Sequence, residues 1–129
     1  FLDSQGRPLR FRDAIGSGKS VGVPGLVAML WAAHQAYGSL PWASLLQPAI
    51  ELAAQGFVVS PRLATLIARD ALLAASVSAR TLYFSDTSHA GSLLRNPDYA
   101  ATLRRIAVQG AKALREGPIA EEGFGSSDP

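Results

Sequence analysis

The chain has 129 residues, 48% of them apolar and 17% charged, which is enough for one domain with a real core. Its net charge is only +2, and Arg7, Arg10, Arg12 and Lys19 are interleaved with Asp3 and Asp13, so a clustered basic face and a nucleic-acid partner are not expected. The absence of cysteine excludes disulfides and thiolate metal sites and says nothing about compartment.

Residues 1–19 are polar and Gly-rich and read as a loop or extended lead-in, with a turn at Asp3-Ser4-Gln5-Gly6. The first clear helix is predicted from Pro24 to about Tyr37. Proline suits a first helical turn, where its missing N–H costs nothing. Leu26, Leu30, Ala33 and Tyr37 recur at helical spacing, and Val27 and Trp31 widen the stripe. Gly38 is placed to end that helix in a left-handed conformation. Pro41 opens the next segment, whose broad apolar face is Trp42, Leu45, Leu46, Ala49, Ile50, Leu52 and Ala53. Pro48 should break it, giving a short helix and then a longer one from about Gln47 to Gln55, closed by Gly56.

Ser60-Pro61 is a helix start with serine as N-cap, and the helix should run to about Ala74 along Leu63, Leu66, Ile67, Ala71 and Leu72. Residues Ser76 to Ser85 fit either a short helix or an extended piece, and Thr87 to Leu94 reads as a loop. Asn96-Pro97 repeats the cap-plus-proline start, with Tyr99, Leu103, Ile106 and Ala107 as the core stripe. Gly110 interrupts before a short segment, Ala111 to Arg115. From Glu116 the chain is Gly-rich and acidic, and residues 121–129 are expected to be a disordered tail. No strand alternation is present, so the fold class is all-α. The second and third helices are apolar over a wide arc, which points to burial against a partner. The longest apolar stretch, Val21 to Ala33, is too short to span a bilayer and contains Pro24 and Gly25, so no membrane partner is expected. The first residue is Phe1 and no signal peptide is visible.

Candidate chemistry is thin. Gly16-Ser17-Gly18-Lys19-Ser20 is like the end of a phosphate-binding loop, but the position that needs the first glycine is Asp13. No strand leads into it, and Val21-Gly22-Val23-Pro24 separates it from the next helix. His34 has no histidine or carboxylate four residues away, so a surface or interface histidine is the better reading than a metal ligand. His89 lies near Ser85, Asp86, Thr87 and Ser88, yet hydrolytic triads are assembled by a fold rather than crowded on one loop. Glu51 is a lone carboxylate facing solvent or pairing with an arginine such as Arg62. Trp31 and Trp42 read as packing anchors. No catalytic, substrate-binding or metal residue is assigned, and no cofactor.

Several stretches taken together resemble the γ-glutamyltranspeptidase family. They are Phe1-Leu2-Asp3, then Ser20-Val21-Gly22-Val23-Pro24-Gly25 running on to Leu30, with Met29 where the family often has glycine. Next come Tyr37-Gly38-Ser39-Leu40-Pro41-Trp42 and the stretch from Pro48 to Gly56-Phe57. Tyr83-Phe84, Asn96-Pro97-Asp98, Thr102-Leu103 and Gly117-Pro118-Ile119-Ala120 complete the set, which reaches nearly the whole chain to Ala120.

The resemblance implies a helical lobe over 20–120 of the large subunit of an Ntn hydrolase, packed on an αββα core. It implies a self-cleaving precursor whose new N-terminal threonine activates its own hydroxyl, and transfer of a γ-glutamyl group from glutathione or a similar amide. That threonine lies downstream and the carboxylate-binding arginine upstream, so no site residue carries over and the chain alone should be inactive. The implied partners are the remainder of the large subunit and the small subunit, with self-association through exposed helices, in a periplasmic or secreted setting. Glu121 to Pro129 departs from the family pattern, which points to a truncated chain, a degraded sample or a shifted frame. The alternatives are a stand-alone helical interaction module and a related acylase.

Overall fold

The structure is a computed structural model that describes residues 1–16, 20–84 and 89–124. Eight α-helices are present among them: α1 (Phe11–Ile15), α2 (Leu26–Tyr37), α3 (Trp42–Gln55), α4 (Pro61–Arg69), α5 (Ala71–Ala75), α6 (Val77–Tyr83), α7 (Pro97–Gln109) and α8 (Pro118–Phe124). A 3₁₀ turn covers Gly110–Leu114, and two short strands, β1 (Phe57–Val58) and β2 (Leu93–Leu94), pair antiparallel. The all-α expectation holds. Two-residue strands are too short to show alternation, and β2 falls in the stretch expected to be loop.

The centre is a hairpin of α3 and α7. Strand β1 follows α3 and β2 precedes α7, so the ladder turns the two helices antiparallel. Both ends of the hairpin are tied. At one end the Asn96 N–H donates to the Ala53 carbonyl at 2.8 Å and Arg95 Nε to the Gln55 carbonyl at 2.9 Å. At the other, Trp42 Nε1 donates to the Ile106 carbonyl at 3.0 Å. Between them Ile50 and Ala53 pack on Ala100 and Leu103, with Leu46, Ala54 and Ala107 half-buried around them. The small side chains at the centre let the helices approach, and Ala100 has no exposed surface at all. Val59, 1% exposed, continues the ladder through its bonds to Ser92 and Gly91.

Side-chain caps set the helix starts. The Ser60 hydroxyl accepts from Leu63 N–H at 3.1 Å and Asn96 Oδ1 from Tyr99 N–H at 2.9 Å, as their cap-plus-proline sequences predict. Two expectations fail. The helix from Pro61 stops at Arg69 rather than Ala74, because Asp70 turns extended and its carboxylate accepts from Leu72 and Leu73 N–H to start α5. Pro48 does not split α3, which is continuous from Trp42 to Gln55. Pro48 and Ser44 are both exposed, so water can take the Ser44 carbonyl that loses its helical donor, while packing on either side holds the helix. The open segment after Ser76 is helical: Ser76 caps α6 through Ala79 N–H at 3.4 Å.

The lead-in is more ordered than a plain loop. Leu2 and Pro8 form an isolated antiparallel bridge around the expected turn. Asp3 Oδ1 accepts from Gln5 N–H at 2.8 Å and Arg7 N–H at 2.9 Å, and Oδ2 meets Arg7 Nε at 3.0 Å. Those bonds, the Arg7 N–H foremost, hold the Asp3 carboxyl below its ordinary pKa against a smaller opposing push from desolvation. At the other end α8 extends to Phe124, four residues into the stretch expected as tail; residues 125–129 lie outside the described residues.

Candidate functional site

The residues with chemical potential do not converge. Ser17, Gly18 and Lys19 of the loop-like motif, and Ser85, Asp86, Thr87 and Ser88 beside His89, lie outside the described residues. His89 itself is exposed, and its ring nitrogen Nδ1 lies 3.1 Å from the neighbouring Ala90 carbonyl. Glu51 is exposed and accepts from Gln47 Nε2 at 2.9 Å, one helical turn back, rather than pairing with Arg62. No group of three or more His, Asp or Glu side chains able to hold a metal occurs among the described residues. None of their helices is long and apolar enough to cross a membrane.

What the fold does assemble is an aromatic junction where α2, the start of α3 and the end of α7 meet. Trp31 and Trp42 cross edge to face at 5.1 Å, and the His34 ring lies 5.2 Å from Trp42. His34 Nε2 lies 2.7 Å from the Leu40 carbonyl, which can only accept, so the ring proton sits on Nε2. The other ring nitrogen, His34 Nδ1, is buried and without a hydrogen-bond partner. The sequence reading of His34 as a surface or interface residue is thus replaced by a half-buried place in an intramolecular joint.

Two glycines make the joint possible. Gly38 is extended, φ −71° and ψ 137°, not left-handed as expected. Its role is clearance: a Cβ there would stand 2.6 Å from His34 Nε2. Gly110 combines both demands. Its φ is +59°, and a Cβ would meet the Trp31 indole at 2.8 Å. The Ile106 carbonyl accepts from Gly110 N–H as well as from the Trp42 indole, so both tryptophans bear on the last turn of α7. Sequence reasoning found Trp31, Trp42 and Gly110 separately. The spacing from Tyr37-Gly38 to Pro41-Trp42 carried the local half of the joint; nothing local signals its contact with Gly110.

The other feature is surface. Helix α2 has no charged residue and no buried one. Leu26, Met29, Leu30 and Tyr37 are exposed, Tyr37 at 90%, and Val23 just before it at 91%. The wide apolar arc is expected of the helices after Pro41, whereas much of the exposed apolar surface lies on α2, the first clear helix of the sequence. A helix this rich in exposed apolar side chains belongs in an interior or an interface. An apolar groove of about 390 Å³ lies elsewhere, between α3, α6 and α7, lined by Leu52, Phe57, Leu82, Tyr83 and Tyr99 among others.

Fold and site together define a helical scaffold with an uncovered apolar helix, and no assembled catalytic set among the described residues. The chain belongs to the γ-glutamyltranspeptidase family, whose model matches residues 1–123. It is 37% identical over 123 residues to a glutathione hydrolase proenzyme of Pseudomonas aeruginosa, covering 94% of this chain and 21% of that protein. It is 38% identical over 116 residues to the acylase ACY 1 proenzyme of a Pseudomonas species, covering 88% of this chain and 21% of that protein. The crystal structure of Helicobacter pylori γ-glutamyltranspeptidase is similar with a TM-score of 0.84 and 31% identity, over 95% of this chain and 36% of that one. The chain therefore spans about a fifth of the length of these curated relatives.

Proposed function

We propose that this chain is the helical lobe of the large subunit of an Ntn hydrolase that moves γ-glutamyl groups from glutathione or related amides to water or an amine. In that role it supplies scaffold: the α3–α7 hairpin fixes the position of α2, and α2 offers its apolar face to the rest of the large subunit. The nucleophile and the carboxylate-binding arginine belong to other parts of the enzyme, and no residue of 1–129 is assigned to catalysis, substrate or metal. The small subunit is the further partner, and the setting is periplasmic or secreted, both carried by the family resemblance. When the rest of the enzyme is missing, α2 drives self-association.

The observation that carries this reading is the family match over residues 1–123, joined to a helix, α2, that presents only uncharged side chains to solvent. A related acylase is a second reading with its own support. Identity to the acylase, 38%, is within one per cent of that to the glutathione hydrolase, 37%, so this segment does not separate the two readings.

The test is a chimera in which residues 1–120 replace the matching segment of the P. aeruginosa relative. Self-cleavage and turnover of a γ-glutamyl anilide are expected to persist, because a scaffold can be exchanged without moving the chemistry. A chimera that folds and cleaves itself yet has lost turnover would place substrate-contacting residues in this segment and overturn the reading.

A further inference from the structure

We propose that the Trp31–Trp42–Gly110 junction is a latch, and that α2 opens from the α3–α7 hairpin as a unit, ahead of global unfolding. The inference is independent of what covers α2. It rests on where the attachments lie. The hairpin is closed at both ends and through its middle: by the bonds of Asn96 and Arg95 at one end, the Trp42 indole at the other, and a buried core between. Helix α2 has no comparable set. It contributes no residue to the buried core, and its principal contact is with the 3₁₀ turn that follows α7.

The ring side chains in this attachment are Trp31, laid on Gly110, and His34, set against Trp42 and Gly38. Toward its N-terminus α2 carries exposed Leu26, Met29 and Leu30, and the preceding Val21 and Val23 are exposed as well. Releasing the two rings from Gly110 and Trp42, together with the half-buried Val27 and Ala28, frees the helix. It leaves Ile50, Ala53, Ala100 and Leu103 packed as before. Segments with few buried contacts open at free energies well below the global value, and cooperative units follow supersecondary boundaries. The last turn of α7 is the platform of the latch, because its Ile106 carbonyl holds the Trp42 indole while Gly110 faces Trp31.

Hydrogen exchange on the 129-residue chain, followed amide by amide, reads this directly. The amides of residues 30–37 are expected to exchange as one group, at least tenfold faster than those of Ala53, Leu103 and Ile106. Trp31→Leu removes the ring from the latch without touching the hairpin core. It should raise exchange across 30–37 by a further tenfold or more and leave the hairpin set within twofold. Trp31→Phe is the milder variant, with an increase of a few-fold confined to the same residues, and it decides the matter if Trp31→Leu does not fold. The proposal is overturned if α2 and hairpin amides exchange together in one step, if either variant shifts both sets alike, or if no amide in the chain is protected.

Discussion

The α3–α7 hairpin and helix α2 are built from similar apolar residues and end in opposite states. In α3 the apolar positions Leu46, Ile50 and Ala53 face a second helix that supplies Ala100 and Leu103, and the surface is consumed within the chain. In α2 the stripe through Leu26, Leu30 and Tyr37 stays exposed among the described residues, although Trp31 and His34 hold the helix in a defined place. Composition therefore does not decide burial. What decides it is whether an opposing surface is present, and for α2 the described residues supply none. An apolar helix left exposed among the described residues agrees with a chain that spans about a fifth of its relatives.

That contrast can be broken at graded strength. The largest effect is expected in the hairpin, where Leu103→Ala leaves a cavity in the buried cluster and should lower stability by about 2–5 kcal/mol in urea unfolding. A loss under about 1 kcal/mol would mean that the hairpin is not the core. Next is Gly110→Ala, which meets both a positive φ and the Trp31 ring; it should lower the melting temperature and cost about 1–3 kcal/mol. Trp42→Phe keeps most of the ring and removes the bond to Ile106, so about 0.5–1.5 kcal/mol is expected.

Leu30→Gln on the open face of α2 should change the stability of the chain by no more than about 0.5 kcal/mol. It should still reduce self-association in light scattering, and an unchanged oligomer would show that this face is not the contact. Smallest is a pH effect. The folded Asp3 carboxyl is held below its ordinary pKa, so its contribution is present above the unfolded value and is lost as pH falls through the folded one. An NMR titration should give Asp3 a midpoint below that of Asp3 in a peptide of residues 1–10, with loosening of the Leu2–Pro8 bridge on the acid side only.

How much of this was legible depended on range. The caps at Ser60 and Asn96 are local chemistry, with a side chain three residues from the N–H it satisfies, and they could be read directly. Asp70 is the same chemistry overlooked, because a continuous apolar stripe from Leu63 to Leu72 hid a restart. Local sterics predict a break at Pro48, whereas packing of Leu46 and Ile50 on both sides keeps α3 whole. The joint was half legible. Tyr37-Gly38 and Pro41-Trp42 mark a tight turn between helices, but the reason for Gly110 is an indole 79 positions away, and no local pattern carries that. The absence of assigned catalytic residues followed from the sequence resemblance, while the uncovered face of α2 required the structure.

The central claim is that residues 1–129 supply scaffold and that the chemistry lies elsewhere in the enzyme. Incubating the purified chain with a chromogenic γ-glutamyl anilide tests it most directly. The account predicts no anilide release above buffer at any protein concentration. Saturable release by the chain alone, abolished by heat denaturation, would contradict it.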